Sequence, residues 1–379
     1  MRTLVSMIIL ACMFLYSCTR TQKENTIHLI SPLENYTLGK AESYLVDKTD
    51  KPDKIDKVTA ISYFETQCVV ASESGIYIID IETRKAKKYY KFRFNTQDST
   101  GKTVVQWSSL IPNSDNSKLL ITTSSGQSST AVLFQIDLTS LKIDWLSEYK
   151  YPIVASRYSH NNNQIAVGTI YHQKETSGDS AVYHASLFLV NSNDGSFKNY
   201  FQQGESVEAI KFNHIDEVLF AVLGWPHVDT YVWDVHNTKS TKGVYGKDYT
   251  AYYDVTPIDN NTFVTIGADG IYKWNINDPD NYALLAGFYI NSSGRIYEVK
   301  ELTQKIVLNY TEGTINPPSI QFYNKQWKVT DSLSFDSPMN HLTYNGITIT
   351  GICESDTVVV FTVAEKKITT KIHKSELLR

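Results

Sequence analysis

The sequence lacks the features that mark several large classes of protein. Its 379 residues carry 36 basic and 40 acidic side chains, so the formal net charge is −4 and no basic excess attracts nucleic acid. After the first 17 residues, no apolar run approaches the about 20 residues that cross a bilayer as a helix. Only four cysteines are present, so cysteine spacing says little about the fold.

The familiar signatures of catalysis are also absent. The chain has no nucleophile elbow, zinc-metalloprotease helix motif, P-loop, dinucleotide fingerprint or Cys-x-x-Cys. Sites that are assembled from scattered loops escape a motif search of this kind. We therefore expect a non-enzymatic protein with no catalytic residues, cofactor or metal.

The first 17 residues indicate a targeting segment. Arg2 precedes an apolar run, residues 4–16, which is too short for a membrane span and typical of a secretory signal peptide. The run ends in Leu15-Tyr16-Ser17-Cys18, which resembles the lipobox of bacterial lipoproteins, although Tyr16 is bulkier than the usual residue there. An ordinary cleaved signal followed by a chance cysteine is the alternative.

The lipobox resemblance implies that Cys18 is acylated and becomes the first residue of the mature protein. Several acyl chains together hold a protein stably on a membrane. Thr19, rather than Asp, follows the cysteine, and in such lipoproteins this favours the outer membrane. The expected location is the bacterial cell envelope, lipid-anchored, at the outer membrane.

Short repeated stretches reveal the architecture. GIYIIDI, residues 75–81, returns almost unchanged as GIYKWNI, residues 270–276. From residue 57 onward, short runs rich in Val, Ile, Tyr, Phe and Thr alternate with turn clusters, which is the composition of strands. The runs fall into seven groups of four, at residues 58–90, 104–149, 153–201, 207–246, 252–288, 296–333 and 341–373.

A repeat of about 49 residues with four strands in each unit is typical of propeller blades. We predict an all-β, seven-bladed β-propeller over residues 57–379, while six or eight blades also fit. The competing fold is an irregular pair of β-sandwiches. An Asp or Asn ends the third strand in six groups, at Asp80, Asp137, Asn191, Asp234, Asn275 and Asn324.

One blade carries a more specific resemblance. Tyr231-Val232-Trp233-Asp234-Val235 is similar to the Trp-Asp end of a WD40 repeat, and Lys273-Trp274-Asn275 is a weaker copy. The Gly-His pair of many WD40 repeats is missing. The resemblance therefore implies a WD40-like propeller without assigning the chain to the eukaryotic family.

The segment before the first blade is predicted to be an anchor and linker, residues 18–56. Residues 46–57, rich in Lys and Asp, are typical of a solvated linker. Residues 26–32 are more apolar, and we expect them to lock the ring as an added strand or to belong to an incomplete blade.

Two weak motifs and two cysteines have plain structural interpretations. Aligning the first and last groups keeps Cys68 and Cys353 about 13 Å apart by strand rise, so two unpaired buried thiols are expected. Residues 137–145 faintly resemble the tryptophan-docking repeat of quinoprotein dehydrogenases, with Leu141 where that repeat has glycine. Residues 275–280 have calcium-loop letters. A simple hairpin turn accounts better for each of these two stretches.

Enlarged loops between second and third strands predict a binding face. They occur in groups two, three, four and six, and all lie on one rim of a propeller. Aromatic and histidine side chains there suit a protein interface or stacking on a sugar. Three histidines on one rim also raise the alternative of a metal site, which no spacing supports. The candidate residues are Tyr171, His172, His184, Trp225, His227 and Tyr310.

Three functions compete at this stage. The favoured one is an interaction scaffold that binds an envelope protein and is held on the membrane by its lipid. The alternative is glycan binding or processing, for which Asp229 and Glu312 are the acidic candidates. A quinone-cofactor oxidoreductase ranks last. Replacing Trp225 and His227 with Ala is expected to abolish binding under either of the first two hypotheses.

Overall fold

The structure is a computed structural model. It describes residues 36–38, 45–47, 55–92, 107–124, 131–149, 151–169, 171–174, 181–184, 186–201, 207–223, 229–237, 241–246, 252–267, 269–287, 294–298, 306–310, 319–324, 326–334, 339–353, 357–363, 365 and 367–377.

Seven antiparallel sheets follow one another along the chain, each built on four strands that pair in chain order or nearly so. We number these blades one to seven. Two short strands, β1 (Tyr36–Leu38) and β2 (Leu45–Asp47), precede them. Blades one to three contain β3 (Val58–Tyr63), β4 (Gln67–Ser72), β5 (Gly75–Asp80), β6 (Ala86–Phe92), β7 (Trp107–Pro112), β8 (Lys118–Ser124), β9 (Ala131–Asp137), β10 (Lys142–Tyr149), β11 (Ile153–Tyr158), β12 (Gln164–Thr169), the ribbon strands β13 (Tyr171–Lys174) and β14 (Ala181–His184), β15 (Leu187–Asn191) and β16 (Phe197–Phe201).

The remaining four blades repeat the plan without an inserted ribbon. Their strands are β17 (Val207–Phe212), β18 (Val218–Leu223), β19 (Thr230–Asp234), β20 (Thr241–Tyr245), β21 (Tyr252–Pro257), β22 (Thr262–Gly267), β23 (Gly270–Asn275), β24 (Asp278–Gly287), β25 (Gly294–Glu298), β26 (Ile306–Tyr310), β27 (Ser319–Tyr323), β28 (Val329–Ser334), β29 (Met339–Tyr344), β30 (Thr348–Cys353), β31 (Thr357–Thr362) and β32 (Lys367–His373). A short 3-10 helix, Lys374–Glu376, follows the last strand. The prediction of an all-β, seven-bladed propeller is confirmed.

The segment predicted to be a linker contributes outer strands. β2 pairs with β6 as a fifth strand of blade one, and β1 pairs with β10 as a fifth strand of blade two. Val46 and Asp47 therefore pair with Lys91 and Tyr90 rather than forming solvated chain. Strands of three residues are too short to leave a periodic signal in the sequence. The strand suggested for residues 26–32 lies outside the described residues.

Both faces of each blade are covered by neighbouring blades. The second strands β4, β12 and β18 are buried along their whole length. Separate apolar clusters fill the interfaces between blades one and two, two and three, three and four, four and five, and five and six. In one of them Phe220 lies against Phe263, with ring centroids 5.0 Å apart. Burial of this kind is the main source of stability for the fold.

The ring closes by side-chain packing between the last and first blades. Ile352, Val358 and Ile372 of blade seven share one cluster with Ile61 and Val70 of blade one. Cys68 belongs to the same cluster as a buried free thiol, which confirms the prediction for that residue. Burial raises the pKa of the Cys68 thiol, so it stays neutral and unreactive.

The first strand of each blade lies innermost. Neighbouring first strands contact one another from blade seven to blade one and onward to blade six. In four of them the register of pairing with the second strand shifts after the first residue. These first residues are Val58, Ile153, Val207 and Tyr252. Because the irregularity recurs at the same place, the residues that follow it occupy matching positions in different blades.

The recurring Asp or Asn at the end of the third strand caps a turn. In each of the six blades its Oδ1 accepts an amide hydrogen from a residue two or three positions further on. At Asp80, the hydrogen bond from the Thr83 amide is the main cause that lowers the carboxyl pKa to about 2. This confirms that residues 137–145 and 275–280 form hairpin turns.

The same turns receive a hydrogen bond from the preceding blade. In four blades, a side chain of the fourth strand donates a hydrogen bond to the next blade. The acceptor is a backbone oxygen in the segment that follows the third strand of that next blade. The four pairs are Tyr90 with Leu141 at 2.5 Å, Trp145 with Ser192 at 2.8 Å, Asn199 with Val235 at 3.2 Å and Tyr245 with Ile276 at 2.5 Å.

A glycine is required where Trp145 meets blade three. Gly195 has φ +69°, and a Cβ there would lie 2.5 Å from the Trp145 ring. Gly195→Ala is expected to lower the free energy of unfolding by about 2 kcal/mol, because both strain and overlap oppose it. The measurement is the urea midpoint of the purified protein.

Gly346→Ala is the matched control. Gly346 also has positive φ, +93°, but no atom lies within 4 Å of an added Cβ. The decrease in the free energy of unfolding of this variant should be limited to the cost of backbone strain, about 1 kcal/mol. Equal decreases in the free energy of unfolding of the two variants would show that overlap with the Trp145 ring does not add to the cost.

Candidate functional site

Most of the predicted binding face lies on what we call the loop rim, where second and third strands are joined. Tyr171, His172 and His184 fall in the β13–β14 ribbon that is inserted between the second and third strands of blade three. Tyr171 is the register partner of His184, and His172 is that of Tyr183. The ribbon thus brings three of the six predicted residues together.

The other predicted residues are less well placed. Tyr310 ends β26, the second strand of blade six, and so belongs to the loop rim by topology. Trp225, His227 and the anchor Cys18 lie outside the described residues. The convergence of all six side chains on one site therefore stays a prediction.

A pocket of about 110 Å³ lies at the opposite end of the propeller. We call this end the pocket rim; it is where first and second strands are joined. The innermost strands of five blades end around the pocket. Its lining comprises Pro112, Asn113, Ser114, Arg157, Tyr158, Ser159, His160, Lys211, Phe212, Thr256, Pro257, Tyr344, Asn345 and Gly346.

The turns that shape the pocket are held by short polar side chains. Asn213 Oδ1 accepts hydrogen bonds from two amides of its own turn, and Asn345 Oδ1 does the same in blade seven. In blade two, Asn113 Oδ1 accepts one, from the Lys118 amide. Asn116, Asn162 and Asp216 occupy one equivalent position with φ near +59°. Asn and Asp tolerate this left-handed conformation better than other residues with a Cβ, which explains their recurrence.

Blades three and four are joined at the pocket rim by a buried carboxylate. Asp216 accepts hydrogen bonds from the amides of His160 and Asn161, at 2.7 and 2.9 Å, and lies 3.0 Å from His160 Nδ1. Burial alone would raise the pKa of Asp216, but these hydrogen bonds outweigh it and lower the pKa. An ionised carboxylate only accepts, so His160 Nδ1 carries the hydrogen and the ring is fixed beside the pocket.

Further hydrogen bonds connect the other turns of the pocket rim. Ser114 and Asn162 link blades two and three, and His214 Nε2 lies 3.3 Å from the Ile258 oxygen of blade five. Asn345 donates to the Tyr63 oxygen at 2.6 Å, and Asn116 donates to the Asn345 oxygen at 3.1 Å. These bonds hold the pocket lining in place.

Arg157 and Lys211 give the pocket its charge. Each is the fifth residue of its first strand, IVASRY in blade three and VEAIKF in blade four, and each is half-buried. No Asp or Glu lines the pocket, and within the described part of the chain no group of three or more His, Cys, Asp or Glu could hold a metal. The pocket is therefore suited to an anionic group.

Sequence analysis missed these two residues because it followed loop length. The available signal was a basic side chain at one matching position of two consecutive repeats, inside runs that are otherwise mainly apolar. Its meaning depends on knowing that first strands lie innermost.

Exposed isoleucines occur on the same rim. Ile215, Ile258 and Ile347 lie in the first-to-second-strand turns of blades four, five and seven and are 51%, 37% and 48% exposed. Isoleucine is among the residues most often buried. The pocket rim therefore exposes apolar surface from turns of three different blades.

Comparison with known proteins supports the fold alone. No family model and no curated protein matches this chain. Among solved structures, the computationally designed Ika8 protein is 13% identical over 84% of this chain and 87% of its own, with TM-score 0.54. Saccharomyces cerevisiae Sqt1 is 11% identical over 86% of each chain, with TM-score 0.56. The C-terminal WD40 domain of Sif2, at TM-score 0.49, 15% identity and 70% and 72% coverage, is too distant to carry an argument.

These likenesses agree with the topology, since seven four-stranded antiparallel blades fit a WD40-like propeller. Within the described residues no helix has both the length and the apolar character that a bilayer crossing needs.

The Asp216 contacts predict a pH-dependent contribution to stability. The folded pKa lies below the unfolded value, so the contribution is present at neutral pH and is lost as the pH falls below about 4. Asp216→Asn should lower the free energy of unfolding by about 1–2 kcal/mol at pH 7. The difference from wild type should shrink near pH 3, measured by urea unfolding at both values.

Asp280→Asn, at an exposed position of β24, is the control and should change little at either pH. A deficit in Asp216→Asn that stays constant between pH 7 and pH 3 would contradict the electrostatic origin.

Proposed function

We propose that this protein is a non-enzymatic interaction scaffold, anchored by lipid at Cys18 in the bacterial cell envelope, that binds a protein partner through its pocket rim. The observation that carries the proposal is the exposure of Ile215, Ile258 and Ile347 in turns of three different blades. Propellers of the WD40 type commonly act as protein-interaction scaffolds, which supports the same class of function.

The physical argument concerns apolar surface that the fold leaves in water. A protein partner that covers these side chains removes their apolar area from solvent, which is favourable. The underlying turns are cross-linked by hydrogen bonds, among them those from the Asn345 and Asn162 side chains. The surface is therefore ordered before a partner arrives, so little conformational entropy is lost on binding.

The lipid anchor is compatible with either rim facing the partner. Between Cys18 and Tyr36, the first residue of β1 on the outer edge of blade two, the chain advances 18 residues. Fully extended, such a segment reaches at most about 60 Å. A blade strand of six residues is only about 20 Å long. The number of residues between Cys18 and Tyr36 is therefore large enough for either rim to face the partner.

The aromatic loop rim is the competing face, for a protein or for a glycan. Its support is the β13–β14 ribbon, whose two paired strands contain Tyr171, His172 and His184. Variants on the two rims distinguish the faces.

The test is crosslinking of the full lipidated chain in its native envelope, with partners identified by mass spectrometry. The combined variant Ile215→Ser, Ile258→Ser and Ile347→Ser is expected to lower the yield of the main protein adduct at least tenfold, because the apolar contact is lost. Thermal unfolding of the variant should remain within a few degrees of wild type, since the three side chains are already exposed.

The matched control changes exposed apolar residues on the outer strands instead. Val244→Ser, Leu284→Ser and Val329→Ser alter side chains that are 42%, 57% and 51% exposed, and the adduct should persist. Loss of the adduct on Trp225→Ala with His227→Ala, but not in the isoleucine variant, would assign binding to the loop rim. Enrichment of polysaccharide without any protein adduct would favour the glycan function.

A further inference from the structure

The pocket on the pocket rim has a size that restricts what it can accept. Sites for whole small molecules usually enclose about 300–1,000 Å³, whereas this pocket measures about 110 Å³. A cavity of about 150 Å³ admits a benzene molecule. The pocket therefore suits a single side chain of a larger partner, and it is too small for a sugar chain or a cofactor.

The lining determines the chemistry of that side chain. Arg157 and Lys211 project from matching positions of adjacent blades, and His160 is held beside them by Asp216. No Asp or Glu is among the residues that line the pocket, and both cations also interact with other groups of the chain. Hydrogen bonds between a carboxylate and Arg or Lys are stronger than those between neutral groups.

The surroundings of the pocket favour a protein as the source of the carboxylate. The exposed Ile215, Ile258 and Ile347 lie in turns of the same rim. An anionic side chain in the pocket and apolar side chains on the isoleucines would belong to one continuous surface of a partner. A small free anion such as acetate offers no counterpart for the isoleucines.

We propose that the pocket receives a Glu or Asp side chain of the protein partner, paired with Arg157 and Lys211. The inference rests on the proposed function, because it names the group that a partner on the pocket rim inserts.

Both basic side chains also interact within the chain. A guanidinium has five N–H donors and an ammonium has three, so each can bind more than one acceptor at a time.

The experiment uses the purified full-length chain in detergent and dye-labelled, blocked pentapeptides of sequence Gly-Leu-X-Leu-Gly. Fluorescence anisotropy gives the dissociation constant for X = Glu and X = Gln, which differ in charge and hardly in shape. Wild type is expected to bind the Glu peptide at least tenfold more tightly. The double variant Arg157→Met and Lys211→Met should reduce that preference to less than twofold.

The control keeps the same change in net charge on the same rim. Lys85→Met with Lys142→Met alters two exposed basic residues outside the pocket lining, one in the third-to-fourth-strand turn of blade one and one at the start of β10 in blade two. This variant should keep the tenfold preference. Loss of the preference in the control, no preference in wild type, or no binding of the Glu peptide would each overturn the proposal.

Two further arms separate this proposal from the function on which it rests. Acetate that displaces the Glu peptide at equal concentration would assign the pocket to a small anion and refute the protein source. The envelope crosslinking experiment is repeated with the Arg157→Met and Lys211→Met variant. If the adduct is lost in the isoleucine variant but unchanged in this one, the scaffold function is supported and only the carboxylate contact is refuted.

Discussion

The structure depends on one constraint, which is that a four-stranded blade with two apolar faces cannot bury either of them alone. Each blade must be covered on both sides, so the ring has to close. Closure relies on Ile352 and Val358 of blade seven packing with Ile61 and Val70 of blade one. In the described part of the chain, all four core strands of every blade come from one stretch of sequence, with no exchange between the first and last blades.

Hydrogen bonds then fix how neighbouring blades are set against one another. Side chains of fourth strands, such as Trp145 and Tyr245, donate to backbone oxygens at the outer turns of the next blade. Near the centre, Asp216 and Asn345 link the turns of the pocket rim. Dispersion and the hydrophobic effect have little directional preference. The hydrogen bonds therefore determine the relative orientation of neighbouring blades. A pocket formed by five separate blades needs such alignment, because small rotations of a blade would move its lining.

Much of the fold could be predicted from the sequence because the repeat is written in local chemistry. The strand runs and the Asx residues such as Asp137 and Asn275 report on strands and turns that form within one blade. The ribbon, the outer strands β1 and β2, and the pocket could not be predicted in this way. Three-residue strands carry too little pattern, and Arg157 and Lys211 meet only after the ring has brought their blades together. Loop length indicated Tyr171 and His184, and the structure adds that their strands pair.

The two features of the pocket rim reinforce each other physically. An exposed Arg or Lys in water gains little from a carboxylate, since water screens the pair. A partner that covers Ile215, Ile258 and Ile347 would exclude water from the pocket mouth and lower the local dielectric, which strengthens the contact with Arg157 and Lys211. In the proposed complex the apolar surface would supply affinity, while the charge would reject partners that bring a neutral or basic group. Both features depend on residues from several blades, and neither is apparent from any single blade.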